Sequence, residues 1–336
     1  MKILLFKTGA IGDTLMTTPL VRQLRQSYPK ARIDYLIGKS ASQALLNNPN
    51  INNIIKFDEA IFFKKKPLKL INLIAGIRED NYDAIFVLDR HWIFNLTARL
   101  FNIPMRIGFD RNGKEGCGLT HKIHYERRRH DIYYYLNQLN ALNIEPNYYD
   151  TKLDLILTKE DKNFANKFFR THKLTKNTIG ICPGGGDNPG QTLNAKIWDI
   201  KNYAELVKKI KQPILLLGGP NDKDKEETIL TGKTLNSVIG TTTIHQSAAL
   251  MAKCDKIICN DSGPMHMAST VNDKVIALFG PTDPKRLGPL NKGSKVIWKQ
   301  NAPSYNNRGK YFGNGKELNR IRVDDVLRDR KSTRLN

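Results

Sequence analysis

Cysteine is scarce in this chain and is not arranged for metal binding or for disulfides. The 336 residues include four cysteines, Cys117, Cys182, Cys254 and Cys259, and no Cys-x-x-Cys pair. This spacing predicts neither a zinc site nor a disulfide framework. Cys182 and Cys259 end apolar segments, where a free thiol behaves as a small hydrophobic side chain.

Long apolar runs are also missing. No run approaches the ~18 residues that a membrane-spanning helix needs. Met1-Lys2 leads directly into an apolar strand pattern, without the features of a secretory signal. We therefore expect a cytoplasmic protein.

A dinucleotide-binding fingerprint is absent from the first strand–loop–helix pattern. The loop Thr8–Thr14 contains Gly9 and Gly12 but not the G-x-G-x-x-G spacing, and no acidic residue follows at the expected distance. This absence argues against a nicotinamide cofactor.

Acidic residues are far fewer than basic ones. The chain has 54 Lys and Arg against 32 Asp and Glu, a formal charge of +22. Such an excess predicts an anionic partner (a nucleic acid, an acidic membrane surface or a phosphorylated substrate), although a solvated basic surface explains it equally well. The segment Lys64-Lys65-Lys66 beside Ile61-Phe62-Phe63 is compatible with a membrane-surface contact or with a solvated loop.

A second basic stretch lies between residues 110 and 130. Its glycines predict a mobile loop, and Arg111 and Lys114 on that loop are suited to bind phosphates or carboxylates of a large acceptor. No aromatic–basic RNA-binding motif accompanies these residues, so we expect no specific nucleic-acid partner.

What the sequence does contain is a regular alternation of strand and helix patterns, which predicts parallel sheets covered by helices. One helix is predicted from the first loop to about Tyr28, and a short strand at Leu153–Leu157. The polar, irregular stretch Asn143–Thr151 predicts a linker between domains 1–147 and 148–330. Residues 331–336 are predicted to be a non-native tail.

The stretch Asn260–Ala268 has the strongest functional pattern. It follows an apolar strand and places Asp261 at the strand's end, with Ser262 as a helix N-cap and Pro264 in the first turn. A helix start at this point presents backbone N–H groups and a positive dipole end to a phosphate. His266 lies within the same turn, and the alternative interpretation is an ordinary cap.

Other loops follow predicted strands in the same way. Pro183–Gly190 contains three consecutive glycines, and Thr192 and Lys196 after it offer a hydroxyl and a cation for a diphosphate. Gly280–Pro284 is a third such loop. Ligands of open α/β sheets bind at the carboxyl ends of strands, so these loops together predict a phosphate-bearing ligand.

Asp13 stands where the first helix begins. By itself it is best explained as a carboxylate favoured by the helix dipole. The functional alternative is a general base facing a cleft. A further carboxylate pair, Asp222 and Asp224, has the spacing of a metal-binding motif but opens a predicted helix, so we expect no metal there.

Five motifs, in order along the chain, resemble those of glycosyltransferase family 9, whose best-known members are the ADP-heptose:lipopolysaccharide heptosyltransferases. The resemblance implies a GT-B fold, an α/β architecture of two Rossmann-like domains with parallel sheets facing a central cleft. It also implies an acceptor-binding N-terminal domain, a donor-binding C-terminal domain and inverting transfer without a metal or other cofactor. The motifs are Lys7 with Gly12-Asp13, Arg106–Phe109, Lys196-x-Trp198, Asp261-Ser262-Gly263-x-x-His266 and Gly280–Pro284.

The resemblance also implies roles for single residues. Asp13 matches the catalytic base, and Lys7 belongs to the first motif. Together with Arg111 and Lys114 of the basic loop described above, Lys7 is a candidate for acceptor binding. The sequence Arg90-His91-Trp92 replaces the usual companions of Asp89 and leaves the acceptor open. The residues expected to bind the donor are Thr192, Lys196, Glu226, Asp261, Ser262, Gly263 and His266.

These implications predict an enzyme that moves a sugar, with heptose from ADP-heptose as the first candidate, to a lipopolysaccharide core or a related glycolipid. The anionic acceptor and the positive charge favour a peripheral position on the cytoplasmic face of the inner membrane. Two alternatives stay open: a GT-B-like nucleotide-sugar epimerase, and a non-catalytic basic protein that binds membrane surfaces or nucleic acid.

Overall fold

The computed structural model describes residues 1–63, 66–111, 113–185, 187–188, 191–230, 235–305 and 310–331. The chain divides into two compact units, Met1–Asp154 and Leu155–Asn336. Each unit contains a parallel sheet with helices between its strands, as the alternating sequence pattern predicts.

The described residues of the first unit form a six-stranded parallel sheet in the order β3-β2-β1-β4-β5-β6. This is the order of a doubly wound Rossmann-like sheet, and the order reverses between β1 and β4. Lys2 pairs with Arg32 on one side of β1, and Ile3 pairs with Ala84 on the other. The strands are β1 (Lys2–Lys7), β2 (Arg32–Gly38), β3 (Asn53–Phe57), β4 (Ala84–Val87), β5 (Met105–Asp110) and β6 (His121–His124).

An aromatic cluster holds the helices of the first unit to this sheet. The Phe6 ring lies 5.7 to 6.1 Å from four other phenylalanine rings. Phe57 comes from β3, Phe62 from one helix, and Phe94 and Phe101 from a second helix and its C-cap. The helices are α1 (Ile11–Leu15), α2 (Thr18–Ser27), α3 (Ala60–Phe63), α4 (Pro67–Glu79), α5 (Trp92–Leu100) and α6 (Asp131–Asn137), with 3₁₀ turns at Ser42–Leu45 and Gln138–Leu142.

The predicted first helix is two helices, so its continuity was wrongly predicted. Thr17 and Thr18 donate side-chain hydrogen bonds back to the Thr14 and Leu15 carbonyls, at 2.7 and 2.8 Å. Such back-bonding competes with the helical ladder, and Pro19 has no N–H to continue it. The backbone therefore ends α1 at Leu15 and starts α2 at Thr18.

The segment that we predicted as a mobile basic loop contains a strand and fixed contacts. β6 lies within it, and Asp110 accepts hydrogen bonds from the N–H groups of Glu115 and Gly116, at 2.9 and 3.0 Å. Asn95 donates a further bond to the Glu115 carbonyl at 2.7 Å. The loop before β6 is thus anchored at its centre.

The two units divide seven residues beyond the predicted boundary at 147/148. Arg22 of α2 forms ion pairs with Asp150 and Asp154, which hold this segment to the first unit. The predicted strand at Leu153–Leu157 is wrong, because the backbone there is irregular. The Asp154 N–H donates to the Thr18 hydroxyl at 2.8 Å instead of to a neighbouring strand.

The described residues of the second unit repeat the first topology. Their six-stranded parallel sheet has the order β11-β10-β7-β12-β13-β14, which reverses between β7 and β12, and a two-residue antiparallel pair, β8 with β9, lies outside it. The strands are β7 (Ile179–Cys182), β8 (Asp187–Asn188), β9 (Gln191–Thr192), β10 (Ile214–Leu216), β11 (Asn236–Ser237), β12 (Lys256–Asn260), β13 (Val275–Phe279) and β14 (Lys295–Trp298).

Trp198 lies at the centre of the second core and is fully buried. Its indole N–H donates to the Ile321 carbonyl at 3.0 Å, which fixes the approach to the last helix, where Val323 and Val326 are buried. Residues 332–336 of the predicted tail lie outside the described residues. The helices are α7 (Lys159–Thr171), α8 (Ile200–Lys209), α9 (Lys223–Leu230), α10 (Ile244–Lys253), α11 (Gly263–Val271), α12 (Pro284–Leu287) and α13 (Val323–Lys331), with 3₁₀ turns at Asn194–Lys196, Pro220–Asp222 and Glu317–Arg320.

All four cysteines are free thiols, and their environments differ sharply. Cys182, Cys254 and Cys259 are buried, whereas Cys117 is exposed. Burial raises the pKa of the Cys254 thiol to about 12 and also raises the pKa values of Cys182 and Cys259. The three buried thiols are thus held in their unreactive protonated form.

Within the described residues, each helix is too short or too polar to cross a lipid bilayer.

Candidate functional site

In the second unit, polar side chains meet where the strand order reverses. Asp261 follows β12 and is buried. One of its carboxylate oxygens lies 2.8 Å from the Lys196 ammonium nitrogen and accepts a hydrogen bond from the Thr282 hydroxyl at 2.5 Å. Three loops that are far apart in sequence therefore join at one carboxylate.

The charge state of Asp261 is set by these neighbours. Burial would raise the pKa of this carboxyl, but the Lys196 cation and the Thr282 hydrogen bond outweigh burial and hold it below its usual range. His266, buried in the first turn of α11, also lowers the pKa of Asp261. The structure thus brings together Lys196, Asp261 and His266 from the predicted donor set.

Asn260 connects the same region and was not predicted as a site residue. Its side-chain amide donates to the carbonyls of Pro183 and Gly184, both at 3.0 Å. The side-chain oxygen of Asn260, Oδ1, accepts from the backbone N–H of Trp198 at 3.2 Å and from the Tyr203 hydroxyl at 2.9 Å. One fully buried side chain thus fixes the loop after β7 to the segment that follows Lys196.

The glycines after β7 are needed for packing. A Cβ on Gly184 would lie 2.0 Å from an Asp222 carboxylate oxygen, and one on Gly185 would lie 2.5 Å from the Ser262 Cβ. Gly185 also has a φ of 123°, a conformation that only glycine adopts readily. Gly186 lies outside the described residues, as does the side chain of Thr192, whose backbone belongs to β9.

The start of α11 differs from its predicted form. Ser262 occupies the N-cap position, but its hydroxyl donates to the Asn260 carbonyl at 3.2 Å and does not cap the helix. Gly263 is the first helical residue, and Pro264 after it has no N–H. The helix dipole still favours negative charge at this end.

Glu226 and Asp224 lie on α9, and Asp222 ends the 3₁₀ turn that precedes this helix. Glu226 is half-buried on α9. Asp222 accepts a hydrogen bond from the Gly219 N–H at 2.9 Å and lies 3.2 Å from the Lys225 ammonium group, so it stabilises the helix start as the sequence predicted. Asp224 is exposed on the same helix.

In the first unit, Lys7 and Asp89 also stand where the strand order reverses. The Lys7 ammonium nitrogen is 2.7 Å from Asp89 Oδ1, and the Thr8 N–H and hydroxyl donate to Asp89 Oδ2 at 2.6 and 2.8 Å. Burial would lower the pKa of Lys7, but the Asp89 charge raises it well above its usual range. Lys7 is only 2% exposed, and its ammonium group already pairs with Asp89. Direct contact between Lys7 and an acceptor stays a prediction, and it would make the acceptor a second partner of this ammonium group.

Asp13 lies half-buried in the first turn of α1, close to two cations. Its charge contributes to the raised pKa values of Lys7 and Arg90. Within the part of the chain that the structure describes, no side chain donates a hydrogen bond to the Asp13 carboxylate. The role of Asp13 as a general base stays a prediction.

Arg90 also lies in this region and was not predicted as a site residue. Its Nη2 donates to Asp131 at 2.8 Å and to the Tyr135 hydroxyl at 3.2 Å. The guanidinium carbon lies 4.8 Å from the centre of the Tyr125 ring. Burial would lower the pKa of Arg90, but the Asp131 charge raises it, so the side chain stays cationic.

Of the three basic residues predicted to bind the acceptor, Arg111 and Lys114 remain, and their surroundings differ. The Arg111 guanidinium forms a two-pronged ion pair with Glu115, at 2.9 and 2.5 Å. Lys114 is exposed nearby. An anionic acceptor would have to compete with Glu115 for Arg111, whereas Lys114 is accessible.

Metal ligands do not cluster in the described part of the chain: no group there of three or more His, Cys, Asp or Glu residues could hold an ion.

Comparison with known proteins agrees with this arrangement. A family model described as glycosyltransferase family 9 (heptosyltransferase) matches residues 70–313. The chain belongs to glycosyltransferase family 9. As a family 9 protein it is a glycosyltransferase. The alternative of a non-catalytic protein that binds membrane surfaces or nucleic acid is therefore rejected.

Among its relatives, lipopolysaccharide heptosyltransferase 2 of Escherichia coli (strain K12) is 27% identical over 88% of each chain. The solved family 9 structure from Veillonella parvula DSM 2008 has a TM-score of 0.81 at 23% identity and covers 98% of this chain and 96% of its own. E. coli ADP-heptose lipopolysaccharide heptosyltransferase II has a TM-score of 0.78 at 24% identity, over 99% and 98%. The two structures establish the shared GT-B fold, as predicted.

Proposed function

We propose that this enzyme transfers heptose from ADP-heptose to a hydroxyl of a lipopolysaccharide core acceptor, at the cytoplasmic face of the inner membrane. The match to lipopolysaccharide heptosyltransferase 2 over 88% of both chains supports the choice of heptose and of a lipopolysaccharide acceptor. The likeness to E. coli ADP-heptose lipopolysaccharide heptosyltransferase II supports ADP-heptose as the donor. The charged groups at the reversal points of both sheets support the proposal, because ligands of such sheets bind there.

The second unit supplies the donor site in this proposal. Lys196, with Thr192 and the start of α11, neutralises the charge that grows on the departing diphosphate, and no metal is required. Asp261 holds the Lys196 ammonium group at 2.8 Å and thereby orients it. Glu226, Ser262, Gly263 and His266 complete the donor contacts.

The first unit supplies the base and the acceptor contacts. The acceptor oxygen attacks the anomeric carbon, the bond from that carbon to the diphosphate oxygen breaks, and ADP leaves with the electron pair. Asp13 takes the hydroxyl proton during the attack. Attack opposite to the leaving group inverts the anomeric centre. Lys114, Arg111 and Lys7 are the candidate cations for the anionic acceptor.

The donor assignment is tested by titrating the protein with ADP, UDP, GDP and NAD at fixed salt. We expect a clear preference for ADP, followed by ADP release from ADP-heptose that depends on a lipopolysaccharide acceptor. A preference for UDP or GDP would discard heptose from ADP-heptose while leaving the fold assignment intact. Conversion of the donor sugar without any acceptor would indicate an epimerase instead.

The catalytic role of Asp13 predicts a separation of binding from turnover. Asp13→Asn keeps the size of the side chain but removes the base, so kcat should fall about 10²–10⁴-fold while ADP affinity changes little. Turnover and nucleotide titration are measured on the same preparation. Retained turnover in Asp13→Asn would show that another group accepts the proton.

A further inference from the structure

The outer faces of α4 and α5 expose an unusual amount of apolar surface. Five large apolar side chains stand on these two helices, out of eleven such exposed side chains among the described residues. Isolated exposed apolar residues are ordinary, but a contiguous group of them marks an interaction surface. The five are Leu68 (76% exposed), Ile71 (58%), Trp92 (43%), Leu96 (37%) and Leu100 (42%).

The two helices present these side chains in one layer. The inner residues of α4, including Ile77, pack into the same core as Phe94 and Ala98 of α5. The Arg78 Nε donates to the Leu100 carbonyl at 2.8 Å, which joins the carboxyl ends of the two helices. Two helices that cover one sheet face side by side must turn their opposite sides outward together.

The spacing along each helix confirms that these are outward stripes. Leu68, Ile71 and the exposed Ala75 are three and four residues apart on α4. Trp92, Leu96 and Leu100 are four residues apart on α5. Residues at these spacings lie on one side of a helix, so each helix is apolar on both its core side and its outer side.

Basic residues outnumber acidic ones on these two helices, although Lys69 also pairs with Asp58 of the preceding segment at 3.9 Å. The sequences of α4 and α5 contain Lys69, Arg78 and Arg99 but a single acidic residue, Glu79, at the end of α4. Lys69 and Arg99 are exposed. Cations beside apolar and indole side chains match the boundary of an anionic bilayer, where tryptophan is enriched and lysine and arginine pair with lipid phosphates.

The membrane contact first suggested by the sequence lay in the adjacent segment. Ile61 is buried, and the Phe62 ring packs 5.7 Å from Phe57, so both belong to the core. Lys64 and Lys65, together with the Phe63 side chain, lie outside the described residues. The exposed apolar groups are therefore one element further along the chain than that pattern indicated.

We propose that the outer face of α4 and α5, named here the α4/α5 face, docks the enzyme on an anionic lipid bilayer. This inference rests on the proposed function, since a lipopolysaccharide core acceptor is carried by a lipid anchor in a membrane. A second copy of the chain is a poorer partner, because symmetric pairing would bring Lys69, Arg78 and Arg99 towards the same cations of the other copy. Residues of the candidate donor and base sites are not part of this face.

Vesicle binding tests the inference. Wild-type protein is sedimented with vesicles of phosphatidylcholine alone or mixed with phosphatidylglycerol. We expect binding to the mixed vesicles, weakened by salt, and about tenfold weaker partitioning for Leu68→Gln/Ile71→Gln and for Leu96→Gln/Leu100→Gln, since both pairs lose apolar burial. Glutamine is a good helix former, and these positions are exposed, so the helices should persist.

A matched control removes exposed aromatic groups elsewhere. Tyr149→Gln/Phe312→Gln should bind vesicles as the wild type does, because neither residue lies on the α4/α5 face, although both are well exposed. Circular dichroism checks the fold of every variant. An equal loss of binding in the control would show that general hydrophobicity, not this face, drives the association.

Tryptophan fluorescence gives an independent measurement. Trp92 is exposed, whereas Trp198 is fully buried and Trp298 is half-buried. Contact with lipid should shift the emission to the blue in the wild type and leave it unshifted in Trp92→Phe. A shift that persists in Trp92→Phe would place the lipid contact elsewhere.

Two further results would overturn the inference. One is absence of wild-type binding to the mixed vesicles. The other is a wild-type dimer in solution that Leu68→Gln/Ile71→Gln converts to a monomer without any change in vesicle binding. Transfer of the sugar to a water-soluble acceptor fragment tests the proposed function separately. The rate of this transfer should be unchanged in Leu68→Gln/Ile71→Gln. If the wild type shows no such transfer, the transfer reaction is refuted and the membrane contact is not.

Discussion

At the scale of single residues, Asp261 ties stability to the candidate donor site. Its buried carboxylate receives the Thr282 hydrogen bond and pairs with Lys196, whose side chain is 14% exposed. Removing one charge of a buried pair leaves the other uncompensated, which costs about 3–5 kcal/mol. The side chain therefore serves the fold whether or not a ligand is bound.

The low pKa of Asp261 predicts how this contribution depends on pH. Because the folded-state pKa lies below the unfolded value of about 3.9, the carboxylate stabilises the fold above that pH. The contribution is lost as the pH falls through the folded-state pKa. Asp261→Asn should thus lower the free energy of unfolding by about 3 kcal/mol near neutral pH, and the gap to the wild type should shrink below about pH 4.

Urea unfolding at several pH values measures that gap. The control is Asp283→Asn, which removes a nearby carboxylate whose described contact is a hydrogen bond from the Lys285 N–H at 2.9 Å. The control should change stability little, because asparagine caps a helix about as well as aspartate does. A gap for Asp261→Asn that stayed constant down to the acid range would mean that the carboxylate gives no charge-dependent stability.

At the scale of elements, Asn260 joins β12 to the loops on either side of it. Its four hydrogen bonds hold the loop after β7, Trp198 and Tyr203. Asn260→Ala should cost about 2–4 kcal/mol, because several buried partners lose their bonds at once. If the loop after β7 contacts the donor diphosphate, ADP affinity should fall as well.

The comparison variant for this prediction is Asn272→Ala. Asn272 follows α11 and also donates to two backbone carbonyls, those of Met251 and Cys254, at 3.1 and 2.8 Å. We expect it to lower stability without lowering ADP affinity in a calorimetric titration. Equal losses of ADP affinity in both variants would show that Asn260 acts through general stability alone.

The sequence predicted the elements better than it predicted their contacts. Strand patterns, glycine loops and the start of α11 follow from local periodicity and from the preferences of glycine and proline. The hydrogen bonds of Asn260 join residues 57 to 77 positions apart, and no local pattern encodes such pairs. The role of Ser262 was missed for a related reason, because its hydroxyl donates to a backbone carbonyl instead of capping the helix.

At the scale of the whole molecule, the formal charge of +22 should act on encounters with an anionic acceptor. The Debye length falls from about 10 Å at about 0.1 M salt to about 3 Å at about 1 M. We therefore expect kcat/KM for a lipopolysaccharide acceptor to fall about tenfold over this range.

Steady-state rates with an uncharged sugar acceptor provide the comparison for this salt effect. Both reactions use the same anionic donor, so a salt effect on donor binding lowers both rates. Salt does not weaken the attraction of an uncharged acceptor, so the rates with that acceptor should fall less than the rates with the lipopolysaccharide acceptor. Parallel losses for both acceptors would assign the effect to the donor and not to acceptor attraction. The ion pairs Lys7–Asp89, Arg90–Asp131 and Lys196–Asp261 should contribute little to this salt effect. Each has one almost fully buried member, and such pairs are poorly screened.

The contrast between the four thiols has a practical consequence. Cys117 is exposed, whereas burial raises the pKa values of the other three. A maleimide dye added to the native wild-type chain should therefore attach at one position, on the segment that also contains Arg111 and Lys114. A dye on Cys117 would test the proposed acceptor contacts of Arg111 and Lys114 by fluorescence, without any substitution in the sequence.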